Sequence, residues 1–404
     1  AFIPILFNHT KKVIEPFFLL SYTIYIVLFF LMLGDWWQNP PSWGGCMKKR
    51  LGVLMCAIAF GTSVYAYNPP AGGQNVLRLT EPQLITGANS ASGGGIFGVT
   101  PASIVINPAL TAWEQRITLD AAGTALVSTN SDDDHKLGGA VEGGLLIPSR
   151  WCVSTLLFQG AWTEFADMPV GNSINFTAGL AKDITDDVSV GISGNFGLLY
   201  GDLTKSDWTA SGALGAYYHF GDLGILKGLR FGAALTNLGK MYSNTETAGI
   251  KSVYDETYDE VDPWPGIATV RTGVAASLVQ ERDFELGASF DLAYPAFQDV
   301  VVDTGLQLRV KDFLKISSSW EFDVREFSYD AKNILPSVGV SFKFLFKSKE
   351  GSYLARKGWA ESEMTVSGAW KQMYKSVNAV SAGLVMNLGL EDTKAPEVIL
   401  WGEE

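Results

Sequence analysis

Few residues in this chain have the types and spacing that catalysis requires. His219 is the only histidine in a region patterned as strand, and a nucleophile would have to come from a serine such as Ser206 or Ser211. Acyl transfer needs a nucleophile, a base and a group that orients the base. Neither a Gly-x-Ser-x-Gly elbow nor a second orienting group is visible, so the sequence predicts that the protein is not an enzyme.

Metal and nucleotide sites are equally poorly supported. Three aspartates at 132–134 precede His135 and could bind a cation weakly, but a solvated acidic loop is the favoured interpretation. Gly93-Gly94-Gly95 lacks the Lys-Ser/Thr that follows in a phosphate-binding loop. Of the three cysteines only Cys152 lies beyond residue 66, which excludes a disulfide framework there. The sequence predicts no cofactor and no metal.

The charge balance argues against a nucleic-acid partner. The chain carries 30 basic and 42 acidic side chains, a formal net charge of −12 at pH 7. Binding to phosphate backbones needs a basic face, so this acidic balance predicts no nucleic-acid partner.

The first 66 residues have the features of a processed leader. Residues 47–66 combine a basic start, an apolar stretch and a Val64-Tyr65-Ala66 cleavage signal, which predicts a secretory signal peptide. Residues 1–46 include an apolar run at 17–33 that is long enough to span a membrane. We interpret 1–46 as upstream sequence that does not belong to the native protein, with a genuine transmembrane helix as the alternative.

Strand-like alternation dominates the chain after residue 114. Val188, Val190 and Ile192 alternate with Ser189 and Gly191, and the same period-two pattern recurs to residue 390. Most of these segments are longer than the five or six residues that are usual for strands in soluble proteins. Fourteen segments are predicted: 115–130, 136–147, 150–164, 172–183, 186–202, 206–220, 225–238, 266–280, 282–294, 298–311, 313–323, 333–347, 361–374 and 378–390.

Long alternating strands predict a barrel that crosses a membrane. Unpaired backbone groups are too costly in lipid, so a spanning sheet must close on itself. The predicted fold class is therefore an all-β, transmembrane antiparallel barrel of about 14 strands over residues 115–390. Aromatic residues near the strand ends would form interfacial girdles: Trp151, Trp162, Tyr200, Trp208, Tyr217, Tyr218, Trp264, Tyr294, Trp320, Trp370 and Tyr374.

The short stretch Asn107-Pro108 opens a predicted helix just before the first strand. Asn is a good N-cap, and Pro fits the first helical position because no N–H is needed there. The preceding residues, 67–114, are rich in Gly, Pro, Ser and Asn and show no sustained period.

These motifs resemble those of the outer-membrane long-chain fatty-acid transporters of the FadL type. The residues that carry the resemblance are Gly87-Ala88-Asn89-Ser90, Gly93-Gly94-Gly95, Ile106-Asn107-Pro108-Ala109-Leu110 and Ala234-Leu235-Thr236-Asn237-Leu238-Gly239. The resemblance implies that residues 67–114 form a hatch inside the barrel, with Asn107, Pro108 and Ala109 as its motif and Gly93, Gly94 and Gly95 as a flexible part. It also implies uptake of hydrophobic ligands and a lateral exit into the membrane.

Charged residues on the inward parity would line the lumen. These are Arg230, Arg271, Glu285, Asp291, Asp303, Arg309, Glu321 and Lys343. Their mixed signs favour ion pairs that fill the lumen over an ion-selective ring. The expected partners are a hydrophobic small molecule such as a fatty acid, outer-membrane lipid, and the barrel-assembly machinery during biogenesis, and we expect a monomer.

Two other functions stay open at this point. Residues 391–404 continue past the last strand as a predicted periplasmic tail, which would suit a structural or adaptor barrel in a secretion or envelope assembly. A general porin is the third possibility. The sequence alone does not name the ligand.

Overall fold

The computed structural model describes residues 67–390 except 88–89, 132–135, 166, 202–205, 244–249, 252–256, 259–261, 325–334 and 358. Within this part of the chain, fourteen strands form one closed antiparallel barrel around an N-terminal segment. The predicted fold class is therefore confirmed. None of the described helices is long and apolar enough to span a membrane. The predicted leader at 1–66, the acidic loop at 132–135 and the tail at 391–404 lie outside the described residues.

Each barrel strand pairs with its neighbours in the chain, and β1 pairs with β16 to close the ring. The strands β8 (Ile250–Lys251) and β9 (Thr257–Tyr258) form a separate two-stranded hairpin. The barrel strands are β1 Thr118–Ser128, β2 Leu137–Pro148, β3 Val153–Glu164, β4 Pro169–Asp183, β5 Val188–Tyr200, β6 Asp207–Leu223, β7 Leu226–Lys240, β10 Thr269–Glu281, β11 Phe284–Tyr294, β12 Val301–Val310, β13 Leu314–Asp323, β14 Ser337–Lys347, β15 Glu361–Tyr374 and β16 Val377–Asn387.

Alternation along the strands separates an apolar outer face from a polar inner face. On β5, Ile192 and Phe196 are exposed on the outside, whereas Ser189 and Leu199 are buried inside. The same alternation on the other strands places large apolar side chains around the outside of the barrel. A closed ring leaves no unpaired strand edge, and an apolar outer belt matches the hydrocarbon of a bilayer.

The two ends of the barrel differ in their connections. At the end that we call the turn end, short turns at 149–152, 184–187, 224–225, 282–283 and 311–313 join consecutive strands. The link 348–360 also lies at the turn end, but it is longer than the other turns there and contains the short helix Tyr353–Arg356. The opposite end, the loop end, carries the long connection from β7 to β10, as the strand parity predicts.

The N-terminal segment, residues 67–117, passes through the barrel from the loop end to the turn end. At the loop end Tyr67 donates a hydrogen bond to the Pro263 oxygen at 2.9 Å. Near the turn end, Trp113 Nε1 donates to Ser189 Oγ at 3.0 Å. The buried core lies between this segment and the inner wall, where Leu79 and Ile85 belong to the same apolar cluster as Phe165 and Tyr374.

The N-terminal segment contains more short helices than the sequence predicts. Only one helix, opened by Asn107-Pro108, is expected there, but four occur. Turns of four to six residues leave no period for sequence patterns to reveal. The α-helices of the described chain are α1 Pro82–Ile85 and α2 Tyr353–Arg356, and the 3₁₀ helices are Gly73–Arg78, Pro101–Val105, Pro108–Trp113 and Pro295–Phe297.

Three aromatic residues expected in the lipid girdles are instead buried. Tyr217 and Tyr374 face the inside of the barrel, and Trp264 is buried in the loop-end connection. Trp151, Trp162 and other members of the predicted set are exposed, as expected. The prediction was wrong for the three because closeness to a strand end does not decide which face a side chain takes.

Candidate functional site

The Asn107 side chain joins the N-terminal segment to itself and to the barrel wall. Its Oδ1 accepts from the Ala109 N–H at 3.1 Å, which is the N-cap bond expected at the start of a helix. Its Nδ2 donates to the Ala91 oxygen at 2.8 Å and to the Ala216 oxygen on β6 at 3.0 Å. One fully buried amide thus holds the helix start, an earlier turn of the segment and the wall together.

Pro108 and Ala109 lie directly against strand positions that have no side chain. A Cβ on Gly191 of β5 would lie 2.6 Å from the Ala109 nitrogen, and one on Gly215 of β6 would lie 2.9 Å from the same atom. Ser189 Oγ adds a hydrogen bond to the Ala109 oxygen at 2.9 Å. Glycine on the inner face therefore lets the motif approach the backbone of β5 and β6.

The predicted flexible glycines form a tight turn that is held by a wall arginine. Gly93 and Gly94 adopt φ values of 86° and 84°, which L side chains rarely take. Arg230 Nη2 donates to the oxygens of both Gly94 and Gly95 at 2.8 Å. Arg230 therefore binds main-chain oxygens of the segment, although an ion pair was the expected partner for a lumen charge.

Near the loop end, a buried arginine of the segment faces two wall carboxylates. Arg78 lies 3.0 Å from Asp303 of β12 and 3.1 Å from Glu321 of β13. Lys371 adds a second cation to Glu321 at 3.0 Å. Burial by itself would lower the pKa of Arg78, but the charges of Glu321 and Asp303 outweigh it and raise that pKa. The guanidinium therefore stays charged and ties the segment to the wall.

The other predicted lumen residues pair along the wall. Arg309 lies 2.5 Å from Glu285, and Lys343 lies 2.7 Å from Glu363. Arg271 lies 3.8 Å from Asp291, a looser pair. Asp291 also accepts the Ala91 N–H of the segment at 2.7 Å. Charges of both signs thus compensate each other across the inner face.

The Ala234–Gly239 motif contains a break in the regular wall. Gly212 pairs with Leu238 and Leu214 pairs with Leu235, so Thr236 and Asn237 together oppose Ala213 alone. This arrangement is a β-bulge. Asn237 has a φ of 61°, a left-handed conformation that Asn tolerates better than most residues, and its side chain donates to the Gly266 oxygen at 3.1 Å.

A narrow cleft adjoins this bulge at the loop end. Its free volume is about 50 Å³, which is room for only a few water molecules. It lies between the N-terminal segment and strands of the wall and combines apolar groups with two guanidinium groups. The lining includes Leu77, Arg78, Val105, Ile106, Asn237, Pro265, Arg271, Val301 and Glu321.

His219 and the serines named with it do not meet. His219 and Ser211 lie eight residues apart on β6, and a strand rises about 3.4 Å per residue, so roughly 27 Å separates them. Ser206 precedes the strand and is farther away still. The His219 ring instead contacts Trp113 at a centroid distance of 6.1 Å, in an aromatic group with Phe97 and Tyr217.

Sequence reasoning missed a group of three carboxylates, Glu81, Asp120 and Glu142. One oxygen of each lies within 4.8 Å of the other two, and all three side chains are buried. Burial first, and then the charge of Glu142, raise the pKa of Glu81 well above its ordinary value. Asp120 and Glu142 occupy inward-facing positions of their strands, and this pattern could have indicated that both lie in the lumen. Nothing in the sequence places Glu81 beside them.

Comparison with known proteins gives structural similarity only. No family model matches the chain, and no curated protein matches it. Among solved structures, the toluene transporter TodX of Pseudomonas putida is 10% identical, with a TM-score of 0.44 over 81% of this chain and 100% of that one. A FadL homologue of Pseudomonas aeruginosa is 12% identical, with a TM-score of 0.40 over 76% and 97% of the two chains. Similarities at this level do not assign a ligand.

Proposed function

We propose that this protein is a bacterial outer-membrane channel for hydrophobic small molecules, such as long-chain fatty acids. The observation that carries the proposal is the N-terminal segment, which runs through the lumen and is buried along most of its described length. The cleft between the segment and the wall, at about 50 Å³, is far smaller than the roughly 300 Å³ or more that small-molecule sites usually have, so a fatty acid needs the segment to move in order to bind there. The segment therefore acts as a hatch that moves when ligand binds.

The chemistry of the cleft supports an amphipathic ligand. Leu77, Val105 and Ile106 offer apolar contact to a hydrocarbon chain. Arg78 and Arg271 lie in the same lining and could bind a carboxylate head group in a bidentate manner. Binding there would compete with the Arg78–Glu321 pair and loosen the loop-end attachment of the segment.

The bulge in β7 supports a lateral exit. It lies beside the cleft, and the β6–β7 ladder shows two further register shifts, at His219/Gly221 and Gly221/Leu223. A wall with fewer regular ladder bonds needs less energy to open. We propose that ligand leaves the barrel here, between β6 and β7, and enters the membrane.

A general porin fits this arrangement less well. Porins conduct through a water-filled lumen, whereas the segment described here is buried along most of its length inside the barrel. Single-channel conductance separates the two functions. A hatched channel conducts poorly until its segment is displaced, while a porin conducts small ions at once.

The decisive experiment locks the segment to the wall and measures uptake. The Thr86 Cβ lies 3.5 Å from the position of a Cβ on Gly339 of β14, a separation that a disulfide can bridge. The double variant Thr86→Cys/Gly339→Cys is made with Cys46→Ser, Cys56→Ser and Cys152→Ser, so that only this intramolecular bond can form. In proteoliposomes we expect the oxidised protein to stop uptake of a labelled long-chain fatty acid, and a reductant to restore it.

The controls for this experiment are the two single-cysteine variants. Neither can form the bond, so both should transport equally with and without oxidant. Equal uptake by the oxidised and reduced double variant would overturn hatch movement. Absence of fatty-acid uptake and binding in the wild-type protein, and no change on deletion of residues 68–112, would overturn the proposed ligand class.

A further inference from the structure

Three buried carboxylates meet where the N-terminal segment touches the first two strands. Glu81 directly precedes α1, Asp120 lies on β1 and Glu142 lies on β2. Their side chains are 1%, 5% and 6% exposed, and one oxygen of each lies within 4.8 Å of the other two. The cluster therefore spans the interface between the segment and the wall.

Most oxygens of this cluster lack a hydrogen-bond partner. Both oxygens of Asp120, Oε1 of Glu81 and Oε1 of Glu142 are buried and have no hydrogen-bond partner among the residues that the structure describes. The Asp120 side chain is more than nine-tenths buried, neither of its oxygens has a hydrogen bond of good geometry among the described residues, and one oxygen lies within 4.8 Å of an oxygen of each neighbouring carboxylate. Buried polar atoms are nearly always satisfied by protein, water or an ion, so these orphans point to a missing partner.

A buried neutral amide, that of Gln159, contacts one of the carboxylates. Gln159 of β3 donates through Nε2 to Glu142 at 3.2 Å and to Thr80 at 2.7 Å. Its Oε1 has no partner, and the residue is only 2% exposed. The surroundings of the cluster thus come from the segment and from three consecutive strands.

No nearby side chain supplies the positive charge that this site needs. In the described part of the chain, no Lys, Arg or His nitrogen lies within 4.0 Å of Glu81, Asp120 or Glu142. Lys315 acts on Glu81 only across a longer distance. Elsewhere in the lumen, Glu285, Asp303 and Glu321 each have a cation within that range. The cluster is therefore unlike the paired carboxylates around it.

We propose that Glu81, Asp120 and Glu142 bind a divalent cation, preferentially Ca²⁺, that fastens the N-terminal segment to β1 and β2. An all-oxygen ligand set selects hard cations. Three oxygens that all lie within 4.8 Å of one another can reach one ion together. Ca²⁺ accepts several carboxylates in a flexible geometry, whereas Mg²⁺ demands a near-ideal octahedron and is usually held by one or two carboxylates. Water completes the coordination.

Cation binding has a consequence for movement of the segment. Glu81 can leave the wall only if it gives up the cation or carries it away from Asp120 and Glu142. The ion thus stabilises the docked segment over the displaced one. Binding itself does not depend on the proposed ligand, whereas a role as a latch for transport rests on the proposed function.

Calcium titration of the full-length purified protein tests the site. After treatment with chelator, CaCl₂ is titrated calorimetrically, and hydrogen exchange of the peptides covering 76–87 is followed with Ca²⁺ and with chelator. We expect one Ca²⁺ ion to bind per protein molecule. We also expect hydrogen exchange in these peptides to slow when Ca²⁺ is present. Asp120→Asn and Glu142→Gln should each weaken binding at least about tenfold, because ligand charge sets affinity. MgCl₂ should bind more weakly.

Glu285→Gln is the matched control. It removes a buried lumen carboxylate that already has Arg309 as its partner, so calcium stoichiometry and exchange at 76–87 should stay unchanged. No calcium binding by the wild-type protein, or binding that Asp120→Asn leaves intact, would overturn the proposal. The wild-type exchange measurement decides the matter even if a variant fails to fold. None of these readouts involves transport, so their outcome is separate from that of the uptake experiment.

Discussion

The Asn107 side-chain amide donates a hydrogen bond to the main-chain oxygen of Ala216, and this 3.0 Å contact joins the N-terminal segment to the wall of the barrel. The same nitrogen also binds the Ala91 oxygen, and Oδ1 caps the following helix. A single side chain therefore couples the local structure of the segment to its docking.

Replacing Asn107 by Ala should loosen the segment while the barrel stays folded. The change removes the hydrogen bonds that the amide donates to the Ala91 and Ala216 oxygens, and each lost bond costs about 0.5–1.5 kcal/mol. Faster hydrogen exchange over 90–113, with unchanged strand protection, is the expected result. Asn378→Ala at the loop end is the control, since Asn378 binds only the nearby Ser376 oxygen. Unchanged exchange over 90–113 would refute the coupling.

Gly215→Ala should displace the motif by steric overlap. A Cβ there would lie 2.9 Å from both the Ala109 nitrogen and Pro108 Cδ, too close for either atom to stay in place. We expect protease to cut the N-terminal segment of this variant while the folded barrel stays intact. Gly143→Ala is the matched control, because a Cβ at Gly143 meets nothing within 4 Å. Equal protease resistance of the two variants would contradict this arrangement.

Pro108→Gly, or deletion of 104–112, should leave the barrel folded but leakier to small solutes. Glycine gives the undocked segment more conformational freedom than proline does, and this favours the undocked state over the docked one by about 1 kcal/mol. Swelling of proteoliposomes in a small sugar measures the leak. Pro169→Gly at the start of β4 serves as a comparison that spares the segment. An unchanged leak in the deletion variant would mean that the stretch is only a linker.

Arg78→Gln should weaken the loop-end attachment more than any surface charge change does. Loss of one partner leaves Asp303 and Glu321 with less compensation in a buried site, and such losses cost about 3–5 kcal/mol. Faster exchange over 73–80 is expected, and adding Asp303→Asn should recover part of the loss. Lys227→Gln removes an exposed pair and should change nothing measurable. If Arg78→Gln and Lys227→Gln behave alike, the attachment is not electrostatic.

A disulfide across the bulge should slow export of ligand through the wall. Leu214 and Leu235 face each other at the edge of the bulge, so Leu214→Cys/Leu235→Cys with Cys152→Ser fixes β6 to β7 there. We expect oxidation to reduce transfer of fatty acid to the membrane. The control introduces two cysteines in the regular β4–β5 ladder instead, as Leu180→Cys/Ile192→Cys. Equal transfer by both oxidised proteins would place the exit elsewhere.

Much of the fold was predictable because strand alternation is a local signal. Fourteen alternating segments predicted fourteen barrel strands, and the N-cap at Asn107 was predictable from Asn and Pro alone. The strand ends were less accurate. β1 begins at Thr118 rather than at 115, and β12 begins at Val301 after a 3₁₀ turn. Hydrogen bonding to neighbouring strands, which the sequence does not display, decides where pairing stops.

The functional interior was less predictable because its contacts join residues far apart in the chain. Arg230 has the polar character of a lumen residue in the sequence, but only the fold brings it to the oxygens of Gly94 and Gly95. Tyr217 was misplaced in the girdle because the register of β6, and not its nearness to a strand end, turns it inward.

By itself, the sequence determined a closed apolar-faced barrel preceded by a glycine-rich segment, because alternation and capping act between near neighbours. Only the tertiary structure decided how that segment crosses the lumen, where Asn107 meets the wall, and that Glu81 meets Asp120 and Glu142. The physical reason is that barrel closure brings distant strands around one interior. Burial there gives each polar group an energetic importance that its sequence position does not reveal.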